Sequence, residues 1–271
     1  MKNIIKLGAI AMLSLFVMTA CNKNDDTKIS SIEKEISLSQ MENKANSLDE
    51  TGKLHNQFLD YFAANVDAKN NNLNIEDLIS IYSKFARENQ VNFDDEQRSN
   101  LSSAYNTMRE MMGKESKLEN ISLDICKRFP AICDITGTGP YNPNPINILS
   151  NTTGETSYDR TLKYIESIKD IENKILASKE FGEKDMETIL AFYSVARYSA
   201  AYWHNVQYVS QKSSYWFNEN DAKAVRPCTN CNVVNADVTG AIVGALAGPW
   251  GSLGGAVVFS AAAKNMGWRW F

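Results

Sequence analysis

Between Asp237 and Lys264 the chain carries no charged side chain, and a run of that length has to leave water, into a protein interior or into a bilayer. As one straight helix it is long enough to cross a membrane. Its texture points elsewhere. Gly240, Gly244 and Gly248 recur every fourth residue, the small-xxx-small glycine zipper that lets helix backbones approach closely. Pro249 and Gly251 flank Trp250 and interrupt the run, so two short helices in a hairpin are expected over 236–271. Each arm, at about twelve residues, measures roughly 18 Å at the helical rise, well short of a ~30 Å hydrocarbon core. A single arm therefore does not span. Three destinations stay open: packing into the rest of the protein, insertion into or close association with a membrane, and self-association through the glycine face. The closing Gly267-Trp268-Arg269-Trp270-Phe271 suits either a core plug or a membrane interface.

The body reads as helices. Ile29, Ile32 and Ile36 fall at helical spacing, and after a break at Gly52 the stripe Leu54, Phe58, Phe62, Val66 repeats every four residues. Asn74 with Asp77 three residues on is a capping signal, followed by Leu78, Ile81, Tyr82 and Phe85 as an inner face. Asp94 with Gln97 repeats the pattern ahead of Leu101, Ala104, Tyr105, Met108, Met111 and Met112, a methionine-bearing stripe that reads as core filling up to Gly113. Residues 134–157 hold Gly137, Gly139, Pro140, Pro143 and Pro145 among asparagines and threonines, a loop too long for an ordinary connection and hence a candidate exposed surface. Two long helices are expected next, over 158–178 with Leu162, Ile165, Ile168, Ile175 and Leu176 inward, and over 183–211. The second is the central one, because between Ile189 and Trp203 only Arg197 is charged. A buried arginine needs a carboxylate or carbonyl partner, since an unpaired one costs several kcal/mol; anion binding is the alternative reading.

At the other end, Lys2 and Lys6 precede an apolar run from Leu7 to Val17, the length of a signal-peptide core. Met18-Thr19-Ala20-Cys21 resembles the bacterial lipobox, with Met18 in the place usually held by leucine. The resemblance implies diacylglycerol on Cys21, cleavage before it, and a membrane anchor at the new N-terminus. Cleavage removes Lys2 and Lys6, taking 28 basic residues to 26 against 32 acidic ones, so the mature charge is −6 and no basic stripe invites nucleic acid. Residues 21–28 form a polar tether, in which Asn22-Lys23-Asn24-Asp25-Asp26 resembles the acidic sorting signals of Bacteroidota surface lipoproteins. Outer-membrane placement, facing the periplasm or the cell surface, follows as an expectation.

With Cys21 acylated, Cys126, Cys133, Cys228 and Cys231 remain, an even number in an oxidising compartment. Local disulfides, Cys126 to Cys133 and Cys228 to Cys231, are the simplest of three connectivities. A zinc site is the sharper alternative, but only one pair has the Cys-x2-Cys spacing. A redox pair at Cys228 and Cys231 would want a βαβ setting, and no strands are expected.

Three further segments, Leu54-His55-Asn56-Gln57-Phe58-Leu59-Asp60, Ser194-Val195-Ala196-Arg197-Tyr198-Ser199 and Ala236-Asp237-Val238-Thr239-Gly240-Ala241, resemble uncharacterised exported lipoproteins of Bacteroidota. That likeness carries no particular activity with it. The glycine-rich tail resembles the membrane-active part of class II bacteriocins.

Catalytic signatures are sparse. The chain holds 2 histidines, His55 on the polar side of the Leu54, Phe58, Phe62 stripe and His204 after the aromatic run, which could meet His55 across the bundle. No serine sits in a Gly-x-Ser-x-Gly elbow, and Gly137-Thr138-Gly139-Pro140 lacks the lysine and hydroxyl of a phosphate loop. The expectation is an all-α bundle of about six helices over 29–235, following a signal peptide over 1–20 and the tether, and ending in the hairpin. Its expected role is that of a non-enzymatic cell-envelope lipoprotein with a binding or structural task and no cofactor or metal. The competing expectation is a membrane-active, bacteriocin-like or pore-forming effector that works through the hairpin, with Gly240, Gly244, Gly248, Trp250 and Gly251 as its membrane-facing or packing residues.

Overall fold

A computed structural model describes residues 33–67, 73–91, 93–111, 155–179, 181–209, 213–216, 229–244 and 249–266. Among the described residues the chain is all-α and has no strand. The helices are α1 (Leu38–Met41), α2 (Asp49–Asn65), α3 (Ile75–Glu88), α4 (Asp95–Met111), α5 (Ser157–Ala177), α6 (Glu183–Tyr208), α7 (Ser213–Trp216), α8 (Thr229–Gly244) and α9 (Pro249–Met266).

The axis of the bundle is α6. Every residue from Thr188 to His204 is buried, so this helix is covered on all sides, as its uncharged sequence requires. Helices α2, α5, α8 and α9 pack around it, α4 and α3 lie outside α9 and α2, and α8 and α9 pair with each other. Next to α6, Phe58 of α2 meets Tyr82 and Phe85 of α3 edge-on, with ring centroids 5.6 and 5.3 Å apart. Trp216 of α7 stacks on Phe62 and meets Trp203 edge-on.

Helix starts follow the capping signals. Asn74 Oδ1 accepts from the amides of Glu76 and Asp77 at 2.9 and 3.0 Å while Asp77 accepts from the Asn74 amide. Asp94 and Gln97 do the same for α4. Thr156 and Asp159 cap α5, so Ser157, expected at the end of the long loop, is instead the first residue of a helix.

Several sequence expectations are corrected. Gly52 does not break a helix; it lies within α2, where the missing side chain lets that helix close on α6. A Cβ there would sit 2.5 Å from the Ser194 carbonyl oxygen, and the Gly52 amide donates to Ser194 Oγ at 3.0 Å. Ile36 is not helical but lies in a segment without regular secondary structure over residues 33–37. On α3 the inward set is Leu78, Ile79, Tyr82, Phe85 and Ala86, with Ile81 half-buried beside them.

The hairpin packs into the bundle. Its arms are longer than the uncharged run suggests, 16 and 18 residues, because α8 starts at Thr229 and takes Asp237 into its middle. The helices cross backbone to backbone. A Cβ on Gly240 would lie 2.5 Å from the Gly255 carbonyl oxygen, and one on Gly244 would collide with the Gly251 carbonyl. The zipper read from Gly240 and Gly244 thus meshes with Gly251 and Gly255 of the opposite arm. Trp250 is half-buried against the core, and Gly248 lies outside the described residues. No described helix is long and apolar enough to cross a membrane.

Candidate functional site

Helix α6 carries polar side chains at positions a purely apolar core would not need, and they gather into three networks. Near its middle is Arg197. Its Nη2 donates to Glu172 Oε1 at 3.0 Å, Nε lies 2.9 Å from Glu172 Oε2, and further bonds run to Asp49 Oδ1 and the Met41 carbonyl. Arg197 therefore has the carboxylate and carbonyl partners its burial demands. Glu172 also accepts from Asn43 and Asn46 Nδ2, each at 2.7 Å. Burial pushes the Glu172 carboxyl up, against the pull of Arg197 and the two amides. Burial also works against the Arg197 charge, but Glu172 and Asp49 outweigh it and hold the guanidinium above its ordinary value. Four donors converging on two oxygens fit a carboxylate. Tyr198 donates to Asp49 Oδ2 at 2.8 Å, so the start of α2 is fastened to α6 by ionic and neutral bonds together.

The second network lies around Asp237, which is fully buried in α8. Its Oδ2 accepts from Ser199 Oγ at 2.8 Å and Trp203 Nε1 at 2.6 Å, and His55 Nε2 of α2 lies 3.3 Å away. The expectation that His55 sits on the polar side of α2 is wrong, because the ring is fully buried. The orientation of this ring follows from its neighbours. Asn56 Nδ2 donates to the Tyr198 carbonyl at 2.9 Å, which turns Asn56 Oδ1 toward His55 Nδ1 at 3.0 Å. An amide oxygen only accepts, so Nδ1 carries a proton and Nε2 faces Asp237. That contact falls outside hydrogen-bond geometry.

The third network is at the C-terminal part of α6. His204 Nε2 lies 2.9 Å from the Lys34 carbonyl, which only accepts, so Nε2 is the donor and Nδ1 takes the Ser157 hydroxyl at 3.2 Å. Burial pushes His204 below its ordinary value, offset in part by the Lys34 carbonyl and Glu33, while Arg160 pushes the same way as burial. Asn205 grips Ile36 on both sides, Nδ2 donating to its carbonyl at 2.9 Å and Oδ1 accepting its amide at 2.8 Å. Glu33 accepts the first two amides of α5, from Ser157 and Tyr158, at 3.2 and 3.1 Å. His204 does not meet His55; it holds the chain that enters the bundle.

The remaining site residues named from the sequence fall differently. Cys21, Cys126, Cys133 and Cys228 lie outside the described residues, and only the backbone of Cys231, in α8, is described. Among the described residues no group of His, Cys, Asp and Glu is arranged to hold a metal ion. Sequence reasoning missed Glu172, Asp237 and Asn205. A lone carboxylate among Val233, Val234, Ala236 and Val238 was the available signal for Asp237, and an acid at inward spacing between Ile168 and Ile175 was the one for Glu172. Asn205 and Glu33 carried none, because their partners are backbone atoms of distant segments. Comparison of the chain with family models, curated proteins and solved structures finds no match in any of the three.

Proposed function

We propose that the chain is a non-enzymatic lipoprotein of the bacterial cell envelope, anchored in the outer membrane through a lipid on Cys21, whose helical body binds a partner or holds structure. The observation that carries this reading is the state of the groups a catalyst would use. His55, His204, Arg197 and Glu172 are all fully buried, and each bonds to the protein's own atoms. A general base has to reach the proton it removes, which a sealed ring does not do. The remaining cysteines are proposed as local disulfides, Cys126 to Cys133 and Cys228 to Cys231. Metabolic labelling with a clickable fatty acid, followed by membrane fractionation, tests the anchor. Label on the wild-type chain and loss of both label and membrane retention in Cys21→Ala is expected; an unlabelled protein that keeps its initiating methionine would overturn the reading.

A second reading, a membrane-active effector, draws on the hairpin. Helix α9, with 18 residues, is about 27 Å long at the helical rise, and Lys264 is its only charged residue. Its glycine faces, however, already have a partner in α8. Dye release from vesicles of mixed zwitterionic and anionic lipid by the full chain would favour the effector; intact vesicles would remove it.

A further inference from the structure

Helix directions bring both ends of the described body to one side of the bundle. Helix α2 runs parallel to α6, since Gly52, Asn56 and Asp60 bond in turn to Ser194, Tyr198 and Tyr202. Helix α5 runs the other way, with Glu172 level with Arg197 and its first residue, Ser157, level with His204. The last turn of α9 reaches that same end, where Lys264 Nζ lies 4.5 Å from the ring centroid of Tyr215 in α7, and the adjacent Trp216 stacks on Phe62 and meets Trp203. Glu33 enters here as well, against the amides of Ser157 and Tyr158. One end of the bundle therefore takes in the chain that follows Cys21 and gives out the sequence Gly267-Trp268-Arg269-Trp270-Phe271. Among the described residues the large apolar side chains left exposed are Leu38, Tyr208 and Val209, and the last two stand at the close of α6, at this end.

We propose that this end of the bundle rests on the surface of a lipid bilayer, with Tyr208, Val209 and the Trp268-Arg269-Trp270-Phe271 run at the headgroup boundary and the N-terminus of α6 pointing away from it. Tyrosine and tryptophan suit that boundary because each joins an apolar ring to a polar edge. The tether length agrees. Twelve residue steps lead from Cys21 to Glu33, at most about 43 Å fully drawn out, and α6, with 26 residues, is about 39 Å long. Turning the far end of α6 to the membrane would take up nearly the whole tether. Lys34, Asp67 and Lys264 mix both signs at this end, so apolar contact and not attraction to acidic lipid holds it down. The contact is peripheral, since no described helix is long and apolar enough to cross. The inference rests on the membrane anchor of the proposed function, but orientation is read on vesicles and acylation in cells, so either can fail alone.

The test adds the full chain to vesicles of phosphatidylcholine and phosphatidylethanolamine that contain a lipid spin-labelled just below the headgroup. A fluorescent amino acid replaces Val209 in one sample and Lys184, exposed near the start of α6, in another; both positions face water, so the core is left intact. The two lie about 37 Å apart along the helix, several times the depth of a headgroup layer. Quenching at Val209 at least about threefold stronger than at Lys184 is expected, and any smaller ratio, or no quenching at either position, overturns the proposal. Trp268→Ser with Trp270→Ser should lower the Val209 signal by at least about half, and an unchanged signal would overturn the share given to that run. An acylated chain quenched equally at both positions sinks the inference alone, and an unacylated chain with the expected ratio sinks the anchor alone.

Discussion

Arg197 and Glu172 face each other with both side chains wholly withdrawn from water, two guanidinium nitrogens set 2.9 and 3.0 Å from the two carboxylate oxygens. Such a pair gains little over an apolar one of the same shape, but breaking it from one side strands a charge. Arg197→Met should therefore destabilise the protein by about 3–5 kcal/mol, since Glu172 keeps only Asn43 and Asn46. Glu172→Gln should cost less, because Asp49 and the Met41 carbonyl still hold the arginine. Urea unfolding followed by circular dichroism gives both values. Equal costs for the two variants would mean that Asp49 does not share the load.

The glycines of the hairpin separate packing from mere composition. Gly254 and Gly255 are neighbours in α9, but a Cβ on Gly255 would run into the backbone of Gly240, whereas one on Gly254 meets only Leu101 Cδ1 at an ordinary 3.4 Å. Backbone cannot swing aside as a side chain can. Gly255→Ala should cost roughly 1–3 kcal/mol or more as an overpacked contact. Gly254→Ala should be neutral, or stabilising by up to about 1 kcal/mol through helix propensity. Thermal melts of the two variants make the comparison, and similar behaviour would contradict the antiparallel mesh of α8 with α9.

Periodicity made the bundle legible. The stripe from Leu54 to Val66, the capping pairs at Asn74 and Asp94, and the uncharged stretch around Arg197 each depend on neighbours within a turn or two, which is the range over which a helix repeats. Gly52 was misread because a glycine that ends a helix and one that admits a neighbouring helix look alike until the neighbour is placed. His55 was misread for a related reason: polar residues are assigned to the wet side unless a buried partner is known, and Asp237 lies far along the chain. The path of residues 33–37 was illegible because irregular backbone held by Asn205 and His204 leaves no repeat in the sequence.

Stability should fall at both ends of the pH scale, for different groups. Burial holds His204 below its ordinary value, so the unfolded chain takes up a proton that the folded one refuses. The stability it contributes is present above the ordinary histidine range, about pH 6.5, and is lost as pH falls from there through the depressed value. The groups facing it are the Lys34 carbonyl, Ser157, Glu33, Arg160, Tyr158 and Tyr208. At the alkaline end burial pushes Tyr82 and Tyr164 up, so their contribution is full below about pH 10 and lost above it as the unfolded tyrosines ionise. Urea midpoints measured between about pH 7.5 and pH 5 should drop, and drop less in His204→Gln. An unchanged slope in that variant would assign the acid limb to other groups.

Asp237 offers the sharpest test of how the hairpin is fastened, because one carboxylate oxygen serves Ser199 and Trp203 of α6 while facing His55 of α2. Asp237→Leu removes the acceptor and leaves an indole N–H, a hydroxyl and an imidazole nitrogen buried without it, at about 1–3 kcal/mol for each group that finds no other partner. Asp237→Asn is subtler. With its amide oxygen toward Ser199 and Trp203 it keeps those two bonds, but it no longer sets a carboxylate against His55. The asparagine variant should thus fall between wild type and leucine in stability. Urea unfolding followed by circular dichroism ranks the three proteins. An asparagine variant as unstable as the leucine one would mean that the bonds from Ser199 and Trp203 are not what fastens α8 to α6.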